Sequence, residues 1–294
     1  MRIAISGSSG LIGTALVEAL RADGHEVLRL VRRPAKAPSE VTWDPYKGEV
    51  DLAALAGVDA LINLSGAGVG DHRWTEKYKN TILQSRLQST ATMATAAVQL
   101  KPKVFINASA IGWYGDTGDA AVDESAPCAN GFLPDVVRQW EAATAPAVDA
   151  GVRVVLARTG LVMSAKGGAW QRMIPLFKFG VGGKLGSGKQ VWSFISLADE
   201  ISAFKFLLTN ESISGPVNLT APNPATNAEV TKALGKLLRR PTLFAVPAVA
   251  LKLALGEFSQ EVLGSNRVLP AKLQAAGFSF AHPDIESATR TLLS

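Results

Sequence analysis

The chain of 294 residues is long enough for one large α/β domain or a medium domain with a smaller companion, since single cores stop growing at roughly 250 to 300 residues. Hydrophobic residues at 47% and charged residues at 19% exclude a largely disordered chain, and a formal charge of +5 without a basic stripe interleaved with aromatics argues against a nucleic-acid partner. No uncharged apolar run is long enough to span a membrane, no leader-like segment precedes the first strand, and one cysteine with three unclustered histidines leaves neither a disulfide framework nor a metal site, so the expectation is a cytoplasmic protein without membrane partners.

The first predicted strand, Arg2 to Ser6, runs into Gly7-Ser8-Ser9-Gly10-Leu11-Ile12-Gly13, which opens a helix with Leu11, Ala15, Leu16 and Leu20 on one face. A strand, a glycine turn and a helix in that order are the context that a dinucleotide-binding fingerprint requires. Gly7 permits the tight turn, Gly10 removes a Cβ that would hold a diphosphate off the backbone, and Gly13 lets the helix pack closely on the strand. The free N–H groups and the positive dipole end of the helix then face the phosphates. The second strand, Glu26 to Val31, ends in Arg32-Arg33, where an NAD-specific site would place a carboxylate for the ribose 2′-hydroxyl. A guanidinium there suits a 2′-phosphate, so the expected cofactor is NADP(H).

Further strands are predicted at Asp59 to Leu64, Val104 to Ala108 and Val152 to Ala157, separated by helical spacings such as Ile82, Leu83, Leu87, Met93 and Ala97. That alternation predicts a doubly wound parallel sheet of Rossmann type. After Met163 glycines cluster, at 167–168, 180, 182–183, 186 and 188, and break the rhythm. A strand and helix at Phe194 to Leu208 are expected to return to the first domain, followed by a last strand at Pro216 to Leu219. The expected division is a nucleotide-binding domain of residues 1–163 with 193–221, and a smaller, mostly helical region of 164–192 with 222–294. Asn227 is the expected N-cap of a helix that buries Val230 and Leu234, and Asp199 is expected to cap or pack the returning helix.

Taken together, Gly7 to Gly13, Asn63-Leu64-Ser65-Gly66, Ser109 to Gly115 and Gly186-Ser187-Gly188-Lys189-Gln190 resemble the extended short-chain dehydrogenase/reductase superfamily. Arg73-Trp74-Thr75, Ser85-Arg86, Trp140-Glu141, Ala221 to Glu229, Arg240 to Phe244 and Arg267 to Pro270 resemble one atypical, epimerase-like branch with a C-terminal domain of unknown function. The resemblance implies that Gly7, Ser9, Gly10, Leu11 and Ile12 line the diphosphate, and that Arg32, next to Arg33, takes the 2′-phosphate. It also implies that Asp44 approaches the adenine, and that Leu64, Ser65 and Gly66 flank the adenosine ribose. Ser85 would sit near the middle of the cofactor, Ala108 and Ser109 near the nicotinamide, and Gly160, Leu161 and Val162 over its carboxamide. The loops 66–74 and 184–192 would shape a pocket for a small-molecule substrate.

Superfamily members hold and protonate substrate with a Ser or Thr, a Tyr and a Lys. In this register those positions fall on Ala110, Leu133 and Val137, none of which carries a proton. Three readings stay open. The acid has moved to Ser109, Tyr114 or His72, or the acceptor is conjugated and takes its proton from water, or the protein senses NADPH without turnover. Sugar epimerisation is a weaker option, because it needs a base at the hydroxyl.

Overall fold

The computed structural model describes residues 1–293. Eight strands form the main sheet: β1 (Arg2–Ser6), β2 (Glu26–Val31), β3 (Glu40–Asp44), β4 (Glu49–Val50), β5 (Ala60–Asn63), β6 (Val104–Ala110), β7 (Val154–Thr159) and β12 (Gly215–Leu219). Their order is β12-β7-β6-β5-β1-β2-β3-β4, parallel throughout except for the antiparallel β3–β4 pair. The central strands read as unbroken apolar runs, Ile3-Ala4-Ile5 and Ala60-Leu61-Ile62, because helices cover both faces of a parallel sheet. From β1 the chain winds one way to β2 and β3, then jumps to β5 and winds the other way. A crevice therefore opens at the carboxyl ends of β1 and β5.

The long helices are α1 (Leu11–Ala22), α2 (Glu76–Leu100) and α3 (Phe132–Ala142), with a short α4 (Ala145–Asp149) before β7. Beyond β7 come β8 (Leu161–Met163), α5 (Gly168–Lys178), β9 (Lys184–Leu185), β10 (Val191–Trp192), β11 (Phe194–Ser196) and α6 (Leu197–Thr209). After β12 follow β13 (Ala225–Thr226), α7 (Asn227–Leu238), β14 (Ala245–Val246) and α8 (Ala248–Leu255), with short helices to the end of the chain.

Three apolar clusters hold these parts together. One fills the face between the sheet and α1 and α6, through Leu16, Leu20, Phe204 and Leu207, and a second fills the opposite face under α2, through Met93, Ala97 and Phe105. The third lies apart from the sheet and gathers Met163, Trp170, Ile174, Phe194, Val230 and Leu234.

The Phe194–Ser196 strand pairs with β8 and not with the main sheet, while the helix after it does return, packing α6 on α1. Ser196, and not Asp199, caps α6: its Oγ accepts from the Asp199 N–H at 3.0 Å. The Asp199 carboxylate instead accepts the N–H groups of Ala281 and His282 at 2.8 and 2.9 Å, which ties the C-terminal segment to the first turn of α6. Likewise Thr226 and not Asn227 caps α7, in a reciprocal box with Glu229. Asn227 is buried, and its Oδ1 accepts from Leu185 N–H at 2.8 Å, so its polar group is used to anchor the glycine-rich segment.

The first turn is one of the closest backbone approaches in the fold. A Cβ on Gly13 would lie 2.2 Å from the Gly7 carbonyl oxygen and 2.8 Å from Ser8 Cα, both backbone atoms that cannot rotate away. Gly13→Ala is therefore expected to lower the urea midpoint with an unchanged m value, by the roughly 1–3 kcal/mol typical of overpacking.

Candidate functional site

At the crevice between β1 and β5 the chain leaves β1 through Gly7, whose φ of +67° is open to glycine at no steric cost. A Cβ there would meet the Leu64 carbonyl oxygen at 2.5 Å, so the same glycine lets the β1 and β5 loops pass each other. Gly10 is the N-cap of α1, supplies no side-chain acceptor, and is followed by no acidic residue in the first turn. The leading N–H groups of the helix and its positive dipole end are left to an external anion.

A cavity of about 640 Å³ opens from this turn, within the range of small-molecule and cofactor sites. Of the residues expected to bind, it brings together Gly7, Ser9, Gly10, Arg32, Arg33, Leu64, Ser65, Gly66 and Ser85. Leu11 and Ile12 start α1 at its margin, with Leu11 packed against Gly167. Ala108 and Ser109 lie at the carboxyl end of β6 and Gly160, Leu161 and Val162 just past β7, farther along the same edge of the sheet. Asp44 is not in the cavity wall. Its carboxylate accepts the Tyr46 N–H at 3.0 Å and lies 3.9 Å from Lys47 Nζ, closing its own turn and leaving Trp43, Pro45 and Tyr46 to face the cleft.

The two arginines of the fingerprint differ in environment. Arg33 grips Glu40 with both guanidinium nitrogens, at 2.8 and 2.7 Å, and this contact, with the Lys36 N–H, holds the Glu40 carboxyl down at about 2. Arg32 is exposed and, among the described residues, meets no carboxylate, so its charge is the one left uncompensated at the cavity. Two further polar residues escape sequence reasoning. Arg29 donates from Nε to Ser8 Oγ at 3.2 Å, and Gln88 lines the wall with a buried Oε1 that has no partner among the described residues. A charge interrupting the apolar β2 run was the available signal for Arg29, and the one-turn spacing from Ser85 on α2 was the signal for Gln88.

These features fit a dinucleotide. The turn that opens the cavity is one whose close backbone packing side chains at Gly7 and Gly13 would prevent, the free cation sits beside it, and the orphaned Gln88 oxygen would accept from a ligand N–H or O–H.

A loop from Gly66 to Thr75 crosses beside the cavity. Ser85 Oγ accepts from the Ala67 N–H and Arg86 donates to the Ala67 carbonyl, both at 3.0 Å. At its far end Arg172 of α5 donates to the Gly70 carbonyl and pairs with Asp71 at 3.2 Å. The Trp74 ring packs against Phe132 and Phe258, and its indole N–H donates to the Val69 carbonyl at 2.7 Å. His72 faces outward, stacked edge-on against Tyr78.

Ser109 and Tyr114 are both buried in a network centred on Arg158. Ser109 Oγ donates to Glu141 Oε1 at 2.5 Å, and Arg158 clasps the same carboxylate through Nε and Nη2, each at 2.8 Å. Arg158 Nη1 donates to Tyr114 Oη at 2.9 Å, and the Tyr114 hydroxyl donates to Asn218 Oδ1 at 2.8 Å. Burial pushes the Tyr114 hydroxyl above its ordinary pKa. Leu133 and Val137 pack on Gly112, within 3.5 and 3.8 Å of where its Cβ would stand, so the α3 face toward the end of β6 is apolar.

Comparison with known proteins places this geometry. Residues 3–219 match the model of the NAD-dependent epimerase/dehydratase family, and residues 246–292 match a domain of unknown function, DUF1731. An epimerase family protein of Mycobacterium leprae is 47% identical over 287 residues, covering 97% of this chain and 94% of that one. The human epimerase family protein SDR39U1, solved with NADPH, superposes with a TM-score of 0.91 at 31% identity over 99% of both chains. A nucleoside-diphosphate sugar epimerase of Corynebacterium glutamicum is 35% identical with a TM-score of 0.83, covering all of this chain and 58% of its own.

One buried acid lies at this edge of the sheet without a counter-charge. Glu200 of α6 is fully buried, accepts from Thr159 Oγ1 at 2.8 Å, and keeps Oε2 unpartnered among the described residues. Burial lifts its carboxyl from 4.5 to about 8. Between those values the unfolded chain loses this proton while the folded chain keeps it, so stability is full below pH 4.5 and falls as pH rises toward 8. Glu200→Gln is expected to match the parent in urea midpoint near pH 4.5 and to exceed it by a margin that widens up to pH 8. A margin that does not change with pH contradicts this.

Proposed function

The chain belongs to the NAD-dependent epimerase/dehydratase family, and from that membership we propose that it binds NADP(H) in the β1–α1 cleft and acts as an oxidoreductase on a small molecule. The observation that carries the reading is the uncompensated Arg32 guanidinium beside the glycine turn. The human relative solved with NADPH supports the choice of the phosphorylated cofactor. Gly7, Ser9, Gly10 and the N–H groups of Leu11 and Ile12 would hold the diphosphate, and Arg32 the 2′-phosphate. Leu64, Ser65, Gly66 and Ser85 would flank the ribose, with Ala108, Ser109 and Gly160 to Val162 at the reacting end. A bound nicotinamide supplies or accepts hydride.

The proton is the chain's own problem. Ala110, Leu133 and Val137 have none to give, and the hydroxyls of Ser109 and Tyr114 are already donated to Glu141 and Asn218. An acceptor that needs no protein acid is therefore favoured, such as an enone or quinone protonated from water. The same commitment of both hydroxyls favours a second reading, an NADPH-binding sensor without turnover. A cytoplasmic location accords with a single cysteine, Cys128, whose thiol burial pushes up in pKa, and no helix among the described residues is long and apolar enough to cross a membrane.

By calorimetry, Arg32→Ala is expected to weaken NADPH roughly ten- to hundredfold and to leave NADH nearly unchanged; equal losses for the two remove the 2′-phosphate assignment. In an absorbance screen NADPH is expected to be consumed with enones or quinones and not with simple ketones. No consumption with any acceptor, with NADPH binding intact, selects the sensor.

A further inference from the structure

Charge and exposed apolar area coincide on the smaller region, away from the cofactor cleft. Residues 164–198 and 230–256 together contain ten lysines and arginines and no aspartate or glutamate. Of the nine exposed large hydrophobic side chains among the described residues, seven fall in the same two segments. The segments are joined, since β9 pairs with β14 through Lys184 with Ala245 and Leu185 with Val246, and Gly183 lies against the Phe244 backbone. Phe179 at 82%, Leu243 at 88% and Leu253 at 74% exposure stand beside Lys178, Arg240 and Lys252. The helix α8, Ala-Val-Ala-Leu-Lys-Leu-Ala-Leu, has no buried residue at all.

Exposed large apolar side chains gathered on joined segments in this way mark an interaction surface. We propose that this face adsorbs to an anionic lipid bilayer, with Phe179, Leu243, Phe244 and α8 entering the boundary below the headgroups and the surrounding cations meeting the lipid phosphates. Lys252, the one charge on α8, has a stem long enough to lie along the apolar helix while its ammonium reaches the headgroups. Charge complementarity selects this occupant. A second copy would bring the same unpaired cations face to face, because among the described residues only Arg172 and Lys236 of the ten have a carboxylate partner. A nucleic acid would set phosphates against Leu176, Val181, Leu243, Val249 and Leu253, with only Phe179 and Phe244 of the seven exposed apolar side chains able to stack on bases. The expectation of no membrane partner rested on the lack of a spanning segment, which is a separate property from lying on the surface.

The test is co-sedimentation of the full chain with vesicles of phosphatidylcholine, alone or mixed with phosphatidylglycerol. Sedimentation is expected with the mixed vesicles only, and its loss in high salt. Arg239→Gln with Arg240→Gln is expected to weaken partitioning roughly twenty-fivefold, at about fivefold for each cation. Leu243→Ser with Phe244→Ser is expected to weaken it as well, while NADPH binding by calorimetry stays intact as the check on folding. The proposal is overturned if neither vesicle is bound, if both are bound equally, or if light scattering finds a dimer that Phe244→Ser dissolves and no vesicle binding accompanies it.

Discussion

The guanidinium of Arg158 is the constraint around which the two parts of the molecule are arranged. Projecting from β7, it clasps Glu141 of α3, reaches Tyr114 after β6, and covers the Trp113 ring at 4.0 Å from its centroid. Through these partners it fixes Ser109 on β6 and Asn218 on β12, and Asn218 Nδ2 in turn donates to the Leu269 carbonyl at 2.9 Å. Glu124 completes the tie by accepting from Asn218 N–H and from Lys272 N–H. A buried ion pair is no guarantee of net stability, but removing one partner strands a charge at roughly 3–5 kcal/mol. That asymmetry specifies how the C-terminal segment must return to the sheet. It also turns two hydroxyls that could have handled substrate protons into structural donors.

A second polar chain runs through the middle of the sheet. Ser6 donates to Asn63, Asn63 to Thr90 and Asn107, and the Trp140 indole to Thr90. All of these groups are buried, and their mutual satisfaction fixes the relative register of β1, β5, β6 and α2 beneath the cleft. The floor of the cleft is thus rigid, and the variable elements are the loops above it.

Much of this was legible in the residues. The first βα junction announces itself, because only glycine can stand where the β1 turn, the β5 loop and α1 converge, and β1 and β2 keep their expected bounds, Arg2–Ser6 and Glu26–Val31. The β7 strand starts two residues later than its apolar run, since Val152 N–H is used to close α4 on the Ala147 carbonyl. Propensity could not separate Thr226 from Asn227 as a cap, because the outcome depended on where the Asn227 amide was needed in three dimensions. Nor could it separate Arg32 from Arg33. That distinction rests on Glu40, which only strand pairing between β2 and β3 brings within reach. Asp44 looked available for the adenine until its own turn claimed the carboxylate.

The loop from Gly66 to Thr75 is fastened unequally at its two ends. On the α2 side its polar anchors are half-buried, whereas the Arg172–Asp71 pair at α5 is exposed and can be exchanged for water at little cost. Thermal opening therefore starts as a peel from the α5 seam, with the glycine turn undisturbed. Were a long ligand to lie along this edge, its end nearest α5 would meet solvent first, while the end at the glycine turn stayed covered.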